Sequence, residues 1–500
     1  MPPINIYNTL TREKEPLQPL EPGHVKLYVC GITSYDYCHI GHARSVLAFD
    51  MLVRYLRFSG LKVTYVRNFT DIDDKIINRA AEKGVPWDEL ARRFIDEFYV
   101  DMDALGALRP DIEPKATEHI AEMLDIIESL VKDGVAYPSG GDVFFAVEQF
   151  PRYGGLSGRQ LTDMQAGARV SINEQKKNPM DFVLWKASKA GEPSWPSPWG
   201  PGRPGWHIEC SAMSRKYLGL TFDMHGGGQD LIFPHHENEI AQSEAANHCP
   251  FVRHWIHHGF VTVNEEKMSK SLNNFFTIRE IFHHYDPEVL RFLVFSTHYR
   301  KPLDFSDTAM QDAAIGLERL YRCLAAIDEL PANGSDGAGV ATDKDRALLT
   351  GLETRFCEAM DNDLNTAMAM AAFFEAAKCL NRLLKSAGAA PAAGDLSLLR
   401  QAAATLRRLG GVLGLLQRQP AEFFRAHRAK LLVGCPLSEE TIAAKIAERD
   451  QARAAKDWGK SDSIRDELAA QGVLVKDGAD GTSWTVKKNL QLHAQMPANA

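Results

Sequence analysis

Apolar positions near the N-terminus switch between two periods. VKLYVC (25–30) is a short β-branched run that stops at Gly31, and LKVTYVRNF (61–69) is a second such run. Both predict strands. Between them Val46, Leu47, Phe49, Val53 and Leu56 recur at helix-compatible spacing from about His42 to Phe58, and Gly60 ends the pattern. Strand, helix, strand is the unit of a parallel sheet, and such sheets bind nucleotides at the carboxyl ends of their strands. From about 75 to 135 the pattern is helical, after which GDVFFAV (141–147) reads as a strand. EPSWPSPWGPGRPGW (192–206) holds too much proline and glycine for regular structure and reads as a loop. FDMHGGGQD and HWIHHGFVTV read as further strand ends followed by turns. Helices dominate from Ile278 onward, broken by the connectors PANGSDGAGVAT (331–342) and SAGAAPAAGD (386–395). The expected fold is α/β: a Rossmann-like parallel-sheet domain with an insertion, then a helical bundle and a small C-terminal module.

At 500 residues several domains are expected. A hydrophobic share of 45% and a charged share of 24% are those of a globular protein. The opening MPPINIYNTLTREKE lacks an export-signal core, and no apolar run approaches the roughly 18 residues of a membrane span. The eight cysteines (30, 38, 210, 249, 323, 357, 379 and 435) have no disulfide-like rhythm. Reduced thiols or metal ligands in a cytoplasmic protein are expected. The formal charge of −8 argues against a nucleic-acid partner, but its distribution softens that. Residues 401–500 carry 15 Lys and Arg against 11 Asp and Glu. Within them Arg407, Arg408, Arg418, Arg425, Arg428 and Lys430 are opposed only by Glu422. Such a stripe suits phosphate or, equally, a solvated helix face.

Candidate chemistry begins at VCGITSYDYCHIGH (29–42), between the first strand and the first helix. Its two thiols and two imidazoles match no compact zinc framework, so they need not share one purpose. HIGH (39–42) places a glycine and two imidazoles at a helix start, where free N–H groups and partial positive charge favour an anion. The same residues also suit a helix cap. KMSKS (267–271) puts Lys267 and Lys270 beside Ser269 and Ser271, a loop able to close over a pyrophosphate leaving group. Together, in this order and on this background, the two motifs resemble the signatures of class I aminoacyl-tRNA synthetases. A second isolated thiol, Cys210, lies in GWHIECSAMS. A helix predicted after Pro234 places His235 and Glu239 four residues apart on one face, with His236 and Glu237 pointing elsewhere. Cys30, Cys210, His235 and Glu239 would make a donor set acceptable to zinc.

CGITSYDYCHIGH, RNFTDIDDKI, GARV, NPMDFVLWK, GEPSWPSPWGPGRPGWHIECSAM, HGGGQDLIFPHHENEIAQSEA and EKMSKS resemble the cysteinyl-tRNA synthetase family from residue 4 to about 305. The likeness resumes in ARAAKDW and DGTSW. It implies ATP-dependent ligation of L-cysteine to tRNA(Cys) through cysteinyl-adenylate, with Mg2+ on the ATP and one Zn2+ per chain. The implied metal ligands are Cys30, Cys210, His235 and Glu239. His39 and His42 would then stabilise the reacting phosphate, and Lys270, with Lys267, the pyrophosphate. Gly41, Gly227, Asp230 and Lys270 would bind ATP. Gly31, Thr70, Trp206 and His225 would line the cysteine pocket, and Cys38 would serve packing. The implied layout is a catalytic domain over 1–120 and 200–275 and a connective insertion over 121–199. A stem-contact-type linking region follows over 276–330, then a helical bundle over 331–415 and an anticodon-binding module over 416–500. Arg425, Asp457, Trp458 and Trp484 are candidate tRNA contacts, since stacking plus charge is how unpaired bases are held. A monomer is expected.

The metal has a physical rationale. An apolar pocket separates near-isosteres only about 100-fold, whereas zinc favours a thiolate that serine cannot offer. The insertion is too short for a full editing domain. One departure from the family pattern is KMSKSLNN, where Asn273 replaces the usual glycine. Two rival readings share these residues: a ligase that passes cysteine to an amino sugar, and a silent zinc- and RNA-binding protein. The basic, Trp-containing tail counts against the first, and the leaving-group loop against the second.

Overall fold

The near-continuous apolar run from His24 to Thr33 can be buried on both faces only inside a parallel sheet, and a computed structural model places it there. The structure describes residues 3–160, 175–263, 266–267, 276–478 and 481–486. The chain divides into two units. One comprises Met1–Cys38, Ala48–Asp103 and Ala107–Phe260; the other comprises His39–Leu47, Ala104–Gly106 and Val261–Ala500.

In the first unit four parallel strands lie in the order Val252–His258, Phe222–Gly228, His24–Thr33, Lys62–Thr70. The two strands read from the sequence are thus neighbours, each within a few residues of its predicted bounds. The chain reverses its direction of winding between the first strand and Phe222–Gly228, where Tyr28 lies opposite His225 and Val29 opposite Gly226. Such a switch point opens a crevice at the carboxyl ends of the strands. The predicted helix between the first two strands runs Ile40–Phe58. Helices Trp206–Leu218 and Glu237–Asn247 flank the strand Phe222–Gly228 in the chain. Buried Gln242 ties them together, donating to the His207 carbonyl at 3.0 Å and to Ser211 Oγ at 2.9 Å.

An antiparallel sheet is inserted between Lys62–Thr70 and Trp206–Leu218: Ala136–Ser139, Asp142–Phe145, Phe182–Ala187 and Gly202–Pro204. The last strand corrects the reading of 192–206 as wholly irregular. Gly202, Arg203 and Pro204 pair with Ala187, Lys186 and Trp185 at the sheet edge, where a proline needs no ladder donor. Fully buried Trp185 and Trp255 belong to the core shared with the ligand-bearing segments.

The second unit is mainly helical, as the sequence predicts. Ile278–His284 starts with a Thr277–Glu280 capping box, and Pro287–Ser296 with Asp286 as cap and proline in its first turn. The helices Asp307–Asp328, Thr366–Ala387, Ala393–Val412 and Pro420–Leu431 follow, with shorter ones between them. Tyr321 stacks on Phe423 with ring centres 4.0 Å apart. Helices Glu439–Ala454 and Trp458–Ala470 and the hairpin Val473–Gly478/Gly481–Val486 form a small module. Its own core is Ile442, Ile464, Leu468, Val473 and Val486.

Candidate active site and metal centre

Three segments remote in sequence meet at the switch point of the first unit. Cys30 comes from the end of its strand, Cys210 from the helix Trp206–Leu218, and His235 and Glu239 from the turn and helix beyond Phe222–Gly228. One donor atom from each lies within 4.8 Å of those of the other three, and all four residues are at least nine-tenths buried. Cys30 Sγ is 3.6 Å from Cys210 Sγ and 3.5 Å from Glu239 Oε1, and His235 Nε2 is 3.0 Å from Glu239 Oε1. Two thiols, a carboxylate and an imidazole packed this tightly out of water form a charge-deficient set that a dication would satisfy.

The electrostatics agree. Burial raises the Cys30 thiol well above its ordinary range, and the neighbouring Cys210 adds to that. Burial also works to raise Cys210, but hydrogen bonding with Cys30 and the charge on His235 outweigh it and bring that thiol to about 6. Burial would lower His235, yet Glu239 carries it to about 10. Burial would raise Glu239, yet the charges of His225 and His235 hold it at about 2.

The expectation that His236 points elsewhere is overturned. Its Nε2 lies 3.3 Å from Cys30 Sγ, and its Nδ1 is 2.7 Å from His257 Nε2, which leads on to Thr9 Oγ1 at 2.8 Å from His257 Nδ1. Cys30, His225, His236 and Glu239 form a second compact donor group. Two causes combine. The helix begins only at Glu237, after a widened turn at Ile232–His236 in which Phe233 is extended. In addition, residues three apart share a helix face as much as residues four apart. The HH pair before Glu239 carried that signal, and the i, i+3 spacing of His236 and Glu239 was the neglected half of it. Glu237 does face away from the centre: it accepts the Gly154 and Ser157 N–H groups at 2.9 and 2.8 Å.

The residues assigned to the cysteine pocket gather around the same point. Gly31 N–H donates to Asn68 Oδ1 at 2.9 Å, and Asn68 Oδ1 is 3.8 Å from Cys210 Sγ. A Cβ at Gly31 would fall on the Asn68 carbonyl oxygen, which explains the glycine. His225 donates from Nε2 to Glu239 Oε2 at 2.8 Å. Thr70 donates to Glu209 Oε2 at 2.6 Å. Trp206 is 39% exposed, with its ring centre 4.2 Å from that of His235. Sequence reasoning passed over Asn68, His236, His257 and Glu209. Glu209 could have been found from its i, i+3 relation to Trp206.

At Gly227 a Cβ would crowd His236 and Leu231, and at Gly228 it would meet Asp230, itself exposed. Internal packing therefore accounts for both glycines.

In the second unit His39 and His42 stack with ring centres 3.8 Å apart at the start of Ile40–Phe58. The Gly41 N–H donates to His39 Nδ1 at 3.0 Å, and the His39 N–H to His42 Nδ1 at 3.2 Å. With each Nδ1 accepting a backbone N–H, Nε2 is the nitrogen left to carry a proton on either ring. Three residues on, buried Arg44 donates to the carbonyls of Val294, His298, Tyr299 and Lys301, which anchors this turn. The Ile40 N–H donates to the Phe276 carbonyl at 3.3 Å, and His39 pairs with Thr277. The chain just beyond KMSKS is thereby held against HIGH. Lys267 ends a short strand, Glu266–Lys267, paired with Thr262 and Val263. Lys270, Ser269, Ser271, Asn273 and GARV lie outside the described residues.

The basic stripe reads differently in three dimensions. Arg407 pairs with Asp328, Arg408 with Glu353, Arg418 with Asp286 and Glu288, and Arg428 with Glu439. Four of its six cations thus hold the unit together, because carboxylates distant in sequence were not counted against them. Arg425 is exposed. Asp457 caps Trp458–Ala470 through the Lys460 N–H at 3.1 Å. Trp458 is 59% exposed, whereas Trp484 packs beside the module core with Arg428 5.6 Å from its ring centre.

Residues 16–315 match the model of the tRNA synthetases class I (C) catalytic domain, 355–417 the DALR domain, and 438–484 the cysteinyl-tRNA ligase anticodon binding domain. A cysteine–tRNA ligase of Desulfotalea psychrophila is 62% identical over 97% of this chain and 99% of its own. That of Geobacter sulfurreducens is 56% identical over 97% of this chain and all of its own. In fold, the chain resembles a Mycobacterium tuberculosis methionyl-tRNA synthetase in complex with methionyl-adenylate, with a TM-score of 0.59 at 19% identity over 84% of this chain and 96% of that one. Among the described residues no helix is long and apolar enough to cross a membrane. With a catalytic-domain match over more than half its length and relatives this similar from end to end, the chain belongs to the cysteine–tRNA ligase family.

Proposed function

We propose that the chain ligates L-cysteine to tRNA(Cys) in two steps, with a zinc ion held by Cys30, Cys210, His235 and Glu239 selecting the substrate by its thiol. The observation that carries the reading is the convergence of those four donors, buried and mutually in contact, at the switch point of the sheet. Zinc bound there supplies a soft Lewis acid that prefers a thiolate to a hydroxyl. Gly31, Thr70, Trp206 and His225 form the walls around the amino acid. His225 holds Glu239 and His236 lies against Cys30.

The cysteine carboxylate attacks the α-phosphate of ATP, giving cysteinyl-adenylate and pyrophosphate, and the terminal ribose of the tRNA then takes the acyl group. Mg2+ accompanies the ATP. His39 and His42, donating from Nε2, meet charge that grows on the phosphate in the transition state. Lys270, with Lys267, holds the departing pyrophosphate. Gly41, Gly227 and Asp230 approach the nucleotide. The match of 438–484 to the family's anticodon binding domain favours tRNA over an amino sugar as acceptor, within a module taken as 416–500, and Trp458 is its best-placed stacking surface. The catalytic domain over 1–120 and 200–275, the insertion over 121–199, the linking region over 276–330 and the bundle over 331–415 complete the layout.

The test is ATP–pyrophosphate exchange with cysteine and with serine, on protein assayed for zinc, followed by charging of bulk tRNA. Stoichiometric zinc, exchange with cysteine alone and charging are expected. Zinc-free protein that still rejects serine would sink the metal assignment. Lys270→Ala should slow exchange while cysteine affinity stays put.

A further inference from the structure

Half of the metal quartet stands on backbone that does not hold itself. His235 lies in the widened turn Ile232–His236, where Phe233 is extended, and Glu239 lies in the first turn of the helix Glu237–Asn247. Backbone outside the regular helical ladder takes its course from other partners. Here those partners come from the inserted segment, which meets this stretch on both sides of His235. The Arg159 guanidinium sits 4.5 Å from the centre of the Phe233 ring, and the Tyr153 ring meets the same ring edge-on at 6.5 Å. Glu237 is 1% exposed, and its carboxylate accepts the Gly154 N–H at 2.9 Å and the Ser157 N–H at 2.8 Å, with the Leu156 N–H at 3.5 Å. The Tyr153 hydroxyl donates to buried Asn238 Oδ1 at 2.5 Å. Two turns further on, exposed Arg152 pairs with Glu244. Only three residues separate His235 from Glu239 in the chain, and the loop grips two of them, Glu237 and Asn238.

The loop is shaped for that grip. Gly154 has a φ of +95°, and a Cβ there would fall on the Arg159 carbonyl oxygen, so only glycine permits the fold. Backbone N–H groups turned inward by such a bend form a concavity that suits a carboxylate. We propose that residues 152–159 are the positioning device of the metal centre, with Glu237 as the handle by which they fix His235 and Glu239 relative to Cys30 and Cys210. The inference rests on the reading of the quartet as the zinc site. Glu237 is not itself a donor; it acts through the two donors on either side of it. Cys30 and Cys210 need no such help, because a sheet strand and a regular helix already hold them. A small rotation at Glu237 therefore moves His235 and Glu239 while both thiols stay in place, and the geometry offered to the metal changes. The inserted segment thereby takes part in reading the substrate thiol without touching it.

Chelator competition for zinc and the visible spectrum of the cobalt-substituted protein test this on wild type, Glu237→Gln, Tyr153→Phe and Arg152→Gln. Melting temperature and the kinetics of cysteine-dependent pyrophosphate exchange are measured on each. Glu237→Gln keeps the shape but turns an amide NH2 toward N–H groups that need an acceptor. Its zinc affinity should fall about 10- to 100-fold, as for other groups that orient metal ligands. Its cobalt d–d bands, which report tetrahedral geometry, should shift and weaken, and KM for cysteine should rise more than kcat falls. Tyr153→Phe is milder and keeps the ring in place; it should lower zinc affinity about 2- to 10-fold and shift the bands the same way. Arg152→Gln breaks an exposed pair remote from the donors and should leave affinity and spectrum as in wild type. If Glu237→Gln does not fold, Tyr153→Phe decides alone. Wild-type zinc affinity and spectrum in the folded variants, whatever their melting temperatures, would overturn the positioning role, and so would an equal change in Arg152→Gln. A wild type that takes up neither zinc nor cobalt would overturn the zinc-site reading and this inference with it.

Discussion

The metal centre and the basic C-terminal stretch are built from similar numbers of charged groups but on opposite terms. At the centre the donors are buried, come from three distant segments and touch one another, with His225 and His236 against them. In the C-terminal stretch Arg407, Arg408 and Arg428 meet carboxylates at or near the surface, where water shares the work. Burial makes each group at the centre depend on its partners, because an unmatched charge there has no solvent to fall back on. At the surface one pair contributes little and many arrangements serve. A single substitution should therefore be decisive in the first region and graded in the second.

The largest effect is expected at a ligand. Cys210→Ser should abolish stoichiometric zinc binding and lower cysteine-dependent pyrophosphate exchange by more than about 100-fold; a variant that keeps both would erase the contrast. Gly31→Ala drives a methyl group into the Asn68 carbonyl, and should cost about 1–3 kcal/mol in denaturant titration while weakening cysteine binding. The pH dependence of metal uptake sharpens the picture. Above pH 6 Cys210 is already largely thiolate, whereas burial keeps Cys30 protonated and Glu239 keeps His235 protonated, so zinc must displace one proton from each of Cys30 and His235. Chelator competition from pH 6.5 to 8.5 should show affinity falling about a hundredfold per unit as pH drops.

In the second unit, Arg418 joins Asp286 and Glu288 in a part-buried cluster, and Arg418→Ala should cost about 1–3 kcal/mol in denaturant titration, between the surface and buried cases. The smallest effect is expected at Asp477, which Arg449 and Arg453 hold below the usual carboxylate range. A depressed carboxyl stabilises the fold above its unfolded pKa of about 4, and the contribution is lost as pH falls through the lower folded value. Asp477→Asn should thus cost no more than about 1 kcal/mol at neutral pH, and the difference from wild type should vanish in acid melts.

Much of the first unit was legible because its signals are local. The apolar runs at 25–30 and 61–69 and the helical spacing between them define a βαβ unit without reference to anything distant. The short edge strand Gly202–Pro204 was not, since its reason for existing is the neighbouring strand Phe182–Ala187. His236 was misplaced because helix periodicity was applied across a turn that is not yet helical. The arginines were misjudged because their partners, Asp328, Glu353, Asp286 and Glu439, lie up to 132 residues away.

By itself the chain's order of residues determined the alternation of strands and helices, the position of HIGH at a helix start, and the supply of two isolated thiols and a His/Glu pair. Only the tertiary structure decided that these donors meet and that two further histidines, His225 and His236, lie against them. The reason is physical: secondary structure is set by contacts a few residues apart, whereas the strength of an ionic group is set by its dielectric surroundings, and those exist only once the sheet and its helices have closed around it.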